Sequence, residues 1–310
     1  MARTNSGTRR LLAALVAFAY ALQPLSALAG PNDVVADPHA GAHQPVIQNT
    51  TNGLPLVQIS APSKGGVSSN WYTQFNVGPN GLIFNNSPTP VNTKLAGYVP
   101  GNMFLGYTPA SVILNQITSG NASQLLGYME VAGQKAQLVI ANPNGITCAG
   151  CGFINVSRGT LTTGLPLFGG DGMLSGFNVT GGQLTISGSG LNASNIDQLD
   201  LSGRTISVGG PVYAKLLNGI AGVNQIGYTS GVTKAPGASG PTPVYAIDVA
   251  GLGGMYAGRI YLISTEAGAG VRNAGTIASQ FGSLTLSTTD SSPFPATSAT
   301  LPPLVIVPVA

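Results

Sequence analysis

From Val57 onward, short apolar runs alternate with polar residues: Val57-Gln58-Ile59, Phe75-Asn76-Val77, Leu82–Phe84, Ser111–Ile117, Gln137–Ala141, Gln183–Ser187, Thr205–Val208, Ile260–Ile263 and Leu284–Leu286. Each run is bounded by Gly, Pro, Asn or Ser, which marks a strand closed by tight turns. Only Ser194–Leu201 and Ala214–Leu217 have local helical flavour, and both are short. The spacing is more telling than the runs. Leu184 and Ile186 recur as Ile206 and Val208, 22 residues on, and Ile260 and Leu262 recur as Leu284 and Leu286, 24 residues on. A period in the low twenties with Gly and Asn turns predicts the rungs of a parallel β-helix, where each rung stacks its apolar residues on the next. A sandwich or barrel would show more two-residue hairpin turns and charged outward positions.

The pattern divides the chain. Residues 1–29 read as a signal peptide: Arg3, Arg9 and Arg10, the apolar run Leu11–Leu22, then Pro24 and Ala27-Leu28-Ala29, with cleavage before Gly30. The run of 12 residues is too short to span a bilayer of about 30 Å. Residues 30–56, with both histidines and little periodicity, read as an extended lead-in. Residues 57–288 carry the strand array, interrupted by a Gly/Pro-rich excursion over Tyr228–Pro243. Residues 289–310 form a Pro/Ser/Thr-rich tail outside the rungs.

Composition sharpens this picture. Charged residues are 7% of the 310, against about 25% for an average domain, so little charge is available for an outer surface. Glycines number 44 and prolines 22, but 43% hydrophobic residues supply enough apolar surface to drive burial rather than disorder. The formal charge of +3 is carried entirely by the leader: without Arg3, Arg9 and Arg10, nine basic residues face nine acidic ones. No basic patch remains to bind nucleic acid. Catalysis and metal binding also lack support. His39 and His43 fall in the lead-in, and Glu130, Asp171, Asp197, Asp200, Asp248 and Glu266 are scattered singly rather than clustered for acid–base chemistry. Trp71-Tyr72 reads either as a ligand platform or as packing at the start of the helix. The two cysteines, Cys148 and Cys151, admit a disulfide, which an oxidising compartment favours, or free thiols or a strained bond. They are too few for a tetrahedral metal site.

The most informative stretch is Gln137–Gly164, Q-L-V-I-A-N-P-N-G-I-T-C-A-G-C-G-F-I-N-V-S-R-G-T-L-T-T-G. Asn142-Pro143-Asn144-Gly145 is a turn by its chemistry, since Pro sets φ and Asn-Gly is at ease with positive φ. Followed by Ile146, C-x-x-C-G-F-I-N and T-L-T-T-G, it closely resembles the haemagglutinin secretion domain of two-partner secretion, the filamentous-haemagglutinin type. The likeness extends over Gln74–Gly78, Gly81–Ile83, Ser111–Asn115, Gly127–Gln134, Gly190–Ser194, Leu252–Gly258 and Gly270–Gly275, and covers roughly Ile59 to Leu286.

The resemblance implies an all-β, right-handed parallel β-helix with extra-helical β-strands or hairpins, and a function in secretion rather than catalysis. It also implies a partner, an outer-membrane β-barrel transporter whose periplasmic POTRA domains recognise the domain in transit to the cell surface. Asn142, Pro143, Asn144, Gly145 and Ile146 occupy the motif tied to secretion. A second motif, N-P-N-L, falls at Asn102-Met103-Phe104-Leu105, where only Asn102 and Leu105 match. Family members carry a long passenger acting as adhesin, haemolysin or contact-dependent toxin, through which a host-cell surface or glycan would be met; this chain reads as truncated after the domain. The alternatives are a carbohydrate-active β-helix enzyme and a free-standing adhesin module. The leader reading predicts that N-terminal sequencing of exported protein begins at Gly30; a retained residue 1–29 segment would overturn it.

Overall fold

The structure is a computed structural model describing residues 34–234, 240–280, 282–288, 297–301 and 305–306. The signal peptide lies outside the described residues. The fold is a three-walled parallel β-helix. The first wall stacks Leu82–Asn86, Tyr128–Gly133, Cys151–Ile154 and Leu191–Ala193. The second stacks Val67–Phe75, Val112–Ile117, Ala136–Ala141, Val156–Thr162 and Gln198–Gly203. The third stacks Ser123–Leu125, Ile146–Cys148, Gln183–Ile186, Thr205–Val208, Tyr245–Val249 and Gly270–Asn273. Further along, Pro211–Ala221 and Gly254–Ser264 each run through the first wall and into the second as one strand, and Thr276–Ser279 and Leu284–Thr288 stack on the two halves of the latter.

The recurrences in the sequence are the register itself. Leu184 pairs with Ile206 and Ile186 with Val208; Ile260 pairs with Leu284 and Leu262 with Leu286. One inward column runs Leu199, Leu217, Ile260, Leu284, all 0% exposed. At about 25 cal/mol per Å² of apolar surface removed from water, this continuous column is the main stabilising term. Asn70 and Asn115, in register on the second wall, are buried beside it; each side-chain amide donates to a carbonyl of the next strand, Leu114 and Val139 respectively.

The two stretches with helical flavour are not helices. Ala214–Leu217 lies inside the strand Pro211–Ala221, and Ser194–Leu201 is a turn leading into the strand Gln198–Gly203. Pairing on both sides with neighbouring strands outweighs a local preference spread over so few residues.

The lead-in is also a structured element rather than an extended approach. Val34–Ala36 pairs antiparallel with Val67–Phe75, and Val46–Asn49 with Pro55–Gln58. His43 stacks on Trp71, ring centroids 4.7 Å apart, so this histidine belongs to the fold. The Asp37 carboxylate accepts the Thr118 hydroxyl and the His39 N–H, and these bonds hold its pKa below the usual carboxylate range. A stacked helix whose first rung ends in Val57 and Ile59 needs such a cover for its apolar end and open strand edge. At the other end, residues 297–301 pair antiparallel with Leu284–Thr288, and 305–306 with Thr276–Ser279, outside the parallel rungs.

Two excursions leave the helix. Val91–Thr93 and Gly97–Val99 form a hairpin over the first wall. The buried Glu130 carboxylate accepts the Lys94 and Leu95 N–H groups of its turn at 2.7 and 2.8 Å. A four-stranded antiparallel sheet of Leu165–Phe168, Leu174–Val179, Asn224–Gly227 and Gly231–Lys234 lies on the second wall. Its Leu174, Phe177 and Tyr228 cover Val112, Leu114 and Val139. The excursion expected from Tyr228 onward is thus half of a sheet whose other half leaves two rungs earlier.

Phe153 is fully buried, its ring seated where only Gly159 leaves room; a Cβ there would stand 2.7 Å from the ring. Phe153→Ala should therefore cost about 3–5 kcal/mol in chemical denaturation, and a loss under about 1 kcal/mol would contradict this packing.

Candidate functional site: two asparagine-anchored turns

The turn Asn142–Gly145 joins the second wall to the third. Asn142 is 0% exposed. Its N–H donates to the Thr162 carbonyl, and its side-chain amide donates to the Asn121 carbonyl (2.9 Å) and the Ser123 hydroxyl (3.0 Å). Its Oδ1 accepts the Asn144 N–H at 2.9 Å, so one side chain ties the turn to itself and to the neighbouring rung. Gly145 has φ +114°, donates to the Asn142 carbonyl, and accepts the Ser123 N–H. A Cβ on it would lie 3.1 Å from the Gln183 carbonyl. Ile146, 1% exposed, enters the core column between Leu125's strand and Leu184. What remains on the surface is Pro143, half-buried, and Asn144, exposed. The Asn144 amide donates to the Ser119 carbonyl and to Asn142 Oδ1.

The second motif repeats this plan. Asn102 is 1% exposed; its amide donates to the Ile59 and Asn85 carbonyls at 2.9 and 3.0 Å, and its Oδ1 accepts the Phe104 N–H at 3.0 Å. Leu105 is buried in the core. Between these anchors, Met103 is 84% and Phe104 44% exposed, and nearby Tyr107 is 97% exposed. The two positions that match the family motif are the buried ones, and the two that depart from it face solvent. The Met103-Phe104-Tyr107 patch was not singled out in the sequence; its only signal is a Met and two aromatics in a Gly-rich loop with no strand periodicity.

The remaining candidates have structural roles. Cys148 and Cys151 are joined by a disulfide, Cα atoms 5.5 Å apart, at the corner from the third wall to the first. Asp200 pairs with Arg158, Glu266 with Arg204, and Asp248 with Arg272. The guanidinium of Arg272 holds the Asp248 carboxyl below its usual range, and the Glu266 carboxylate raises the Arg204 pKa. Asp197 meets Lys215 at the surface. Trp71 packs under the N-terminal cover, its indole N–H on the Ser69 hydroxyl. Among the described residues no group of three or more His, Cys, Asp or Glu is placed to hold a metal.

A capped parallel β-helix with antiparallel excursions and two asparagine-anchored corner turns defines the class of exoprotein secretion domains. Residues 32–291 match the TPS secretion domain, and the chain belongs to that family. It is similar to the filamentous hemagglutinin secretion domain, whose crystal structure superposes with a TM-score of 0.73 at 33% identity, covering 82% of this chain and 88% of that one. It is 49% identical over 247 residues to the tRNA nuclease CdiA-2 of Burkholderia pseudomallei (strain 1026b), and 48% identical over 255 residues to the toxin CdiA of Yersinia pestis. These alignments cover 79% and 82% of this chain but 8% of each relative.

The geometry separates anchors from displayed residues. Asn142→Ala strands buried partners and should cost about 1–3 kcal/mol; Gly145→Ala should cost a similar amount, about 1–3 kcal/mol, from its positive φ. Asn144→Ala, at an exposed site, should stay within about 1 kcal/mol. Thermal unfolding of the three variants checks the order, and equal losses in all three would contradict it.

Proposed function

We propose that this domain is the address by which an exported chain is recognised at the outer membrane. Its partner is a β-barrel transporter whose periplasmic POTRA domains hold the domain before the chain passes outward to the cell surface. The observation that carries this reading is the match to the TPS secretion domain over residues 32–291, nearly the whole described chain. The domain acts by binding and folding rather than by chemistry. In the relatives named for nuclease or toxin activity the alignment covers 8% of the length, so that activity is assigned here to sequence beyond the shared segment.

Within this reading the two turns divide the work by burial. Asn142, Gly145 and Ile146, with Asn102 and Leu105, hold the corners rigid. Pro143 and Asn144 on one turn, and Met103, Phe104 and Tyr107 on the other, are the contact residues for the transporter. Rigid corners matter because a surface already held in its bound shape loses little entropy on binding. Stacking of rungs outside the cell then biases passage, since each new rung buries apolar surface on the one before.

The test is export in cells carrying the cognate transporter, measured beside the thermal unfolding of each purified variant. Replacing Met103 and Phe104 together by Ser removes contacts worth about 1.5–3 kcal/mol for each side chain the partner fully buries, a tenfold or greater loss of affinity. Export should fall while the unfolding temperature stays unchanged, with Asn144→Ala giving a smaller loss of the same kind. Full export of all these variants would remove the turns from the contact surface. Loss of export only in step with stability would make them structural corners alone.

A further inference from the structure

Beside the extra-helical sheet, on the outward face of the second wall, lies a groove of about 410 Å³ that the secretion reading does not use. Its floor is a row of residues in register on successive rungs: Thr160 pairs with Asp200, Asp200 with Asn218, and Asn218 with Tyr261. At about 4.8 Å per strand the row spans about 14 Å. Its wall is the turn at Gly227–Gly231 with Tyr228, over whose ring the Arg158 guanidinium sits, 4.1 Å from the centroid.

The hydrogen bonds around Asp200 set the chemistry of the floor. One carboxylate oxygen accepts Arg158 Nε and the Thr160 hydroxyl, and the other accepts the side-chain amides of Gln198 and Asn218. All four lone-pair sites are thereby used. Asp200 is not available as a general base or nucleophile; it orients its donors instead. With their NH₂ groups turned toward Asp200, Gln198 and Asn218 present carbonyl oxygens and one further N–H each to the groove. Among the described residues these carbonyls, the Tyr261 hydroxyl and the terminal guanidinium nitrogens of Arg158 have no partner.

We propose that this groove binds a neutral oligosaccharide, without turning it over. Planar amides and a guanidinium held by a second layer of hydrogen bonds, beside the half-buried Tyr261 ring, suit the vicinal hydroxyls and apolar ring faces of a sugar, which need both donors and acceptors at fixed positions. The row repeats once per rung, which suits a chain of rings rather than one. Anionic ligands are disfavoured because Arg158 is neutralised by Asp200 and the floor carries no other cation. An extended peptide is disfavoured because the floor strands are paired on both sides and offer no free edge for strand addition. The proposal does not rest on transporter recognition, and its variants should be exported normally.

The experiment follows the side-chain amide resonances of Gln198 and Asn218 in the ¹⁵N-labelled chain during titration with cellohexaose, maltohexaose, chitohexaose and a heparin hexasaccharide. At least one neutral hexasaccharide should shift both resonances saturably below about 10 mM, and Tyr261→Ala should weaken that binding tenfold or more with unchanged thermal unfolding. Tyr261→Phe should retain part of it through the ring. The proposal is overturned if none of the three neutral probes shifts these resonances, if the shifts map outside the groove, if heparin alone binds there, or if Tyr261→Ala binds as tightly as the parent.

Discussion

Everything in this molecule depends on one constraint: successive turns of the chain must stack in register, like residue over like. Parallel backbone pairing imposes it on all three walls, and a slip of one residue would turn every inward side chain outward. The Leu199, Leu217, Ile260, Leu284 column shows the result, a continuous stack of buried side chains over four successive strands. Because the walls shield one another, the fold needs few surface charges to set its inside from its outside. That explains a chain with 7% charged residues and an ordered core.

The corners are where stacking is hardest to maintain, since three strands must turn without leaving backbone groups unpaired. Asparagine meets this need repeatedly. Asn142 and Asn102 each accept an N–H from two residues on while donating to the adjacent rung. Asn155, at φ 56°, donates to the Val131 and Gly133 carbonyls in the same way. A side chain that replaces backbone partners in this manner frees the residues between the anchors, so the display of Met103 and Phe104, or of Pro143 and Asn144, costs the fold little. The residues between the anchors can therefore be replaced at little cost to the corner.

The same division explains the excursions. The four-stranded sheet leaves the helix at the corner between the second and third walls, below the Asn142 turn; a Cβ on Gly182, where the chain returns, would lie 2.6 Å from the Pro143 carbonyl. The sheet covers the apolar part of the second wall at Leu114 and Val139 and stops where the outward row becomes Asp200, Asn218 and Tyr261. The groove lies at that boundary, with Ile220 and Ile263 beside the polar row.

Local sequence determined the rungs, because a repeat of 22 to 24 residues with alternating apolar positions is itself the stacking pattern, and it determined the NPNG turn, because Pro and Gly restrict the backbone without outside help. Glu130, Asp200 and Glu266 looked like isolated acids for the converse reason: the groups that meet them, the Lys94 N–H, Arg158 and Arg204, lie 36, 42 and 62 residues earlier in the chain. Tertiary structure alone decided that residues 34–49 cover the first rung, that Ala214–Leu217 is strand, and which residues of each turn are buried. Periodicity reports contacts that recur at a fixed interval, whereas a cap, an excursion or an anchoring asparagine occurs once, and its meaning is set by whichever distant backbone group the fold brings within hydrogen-bonding reach.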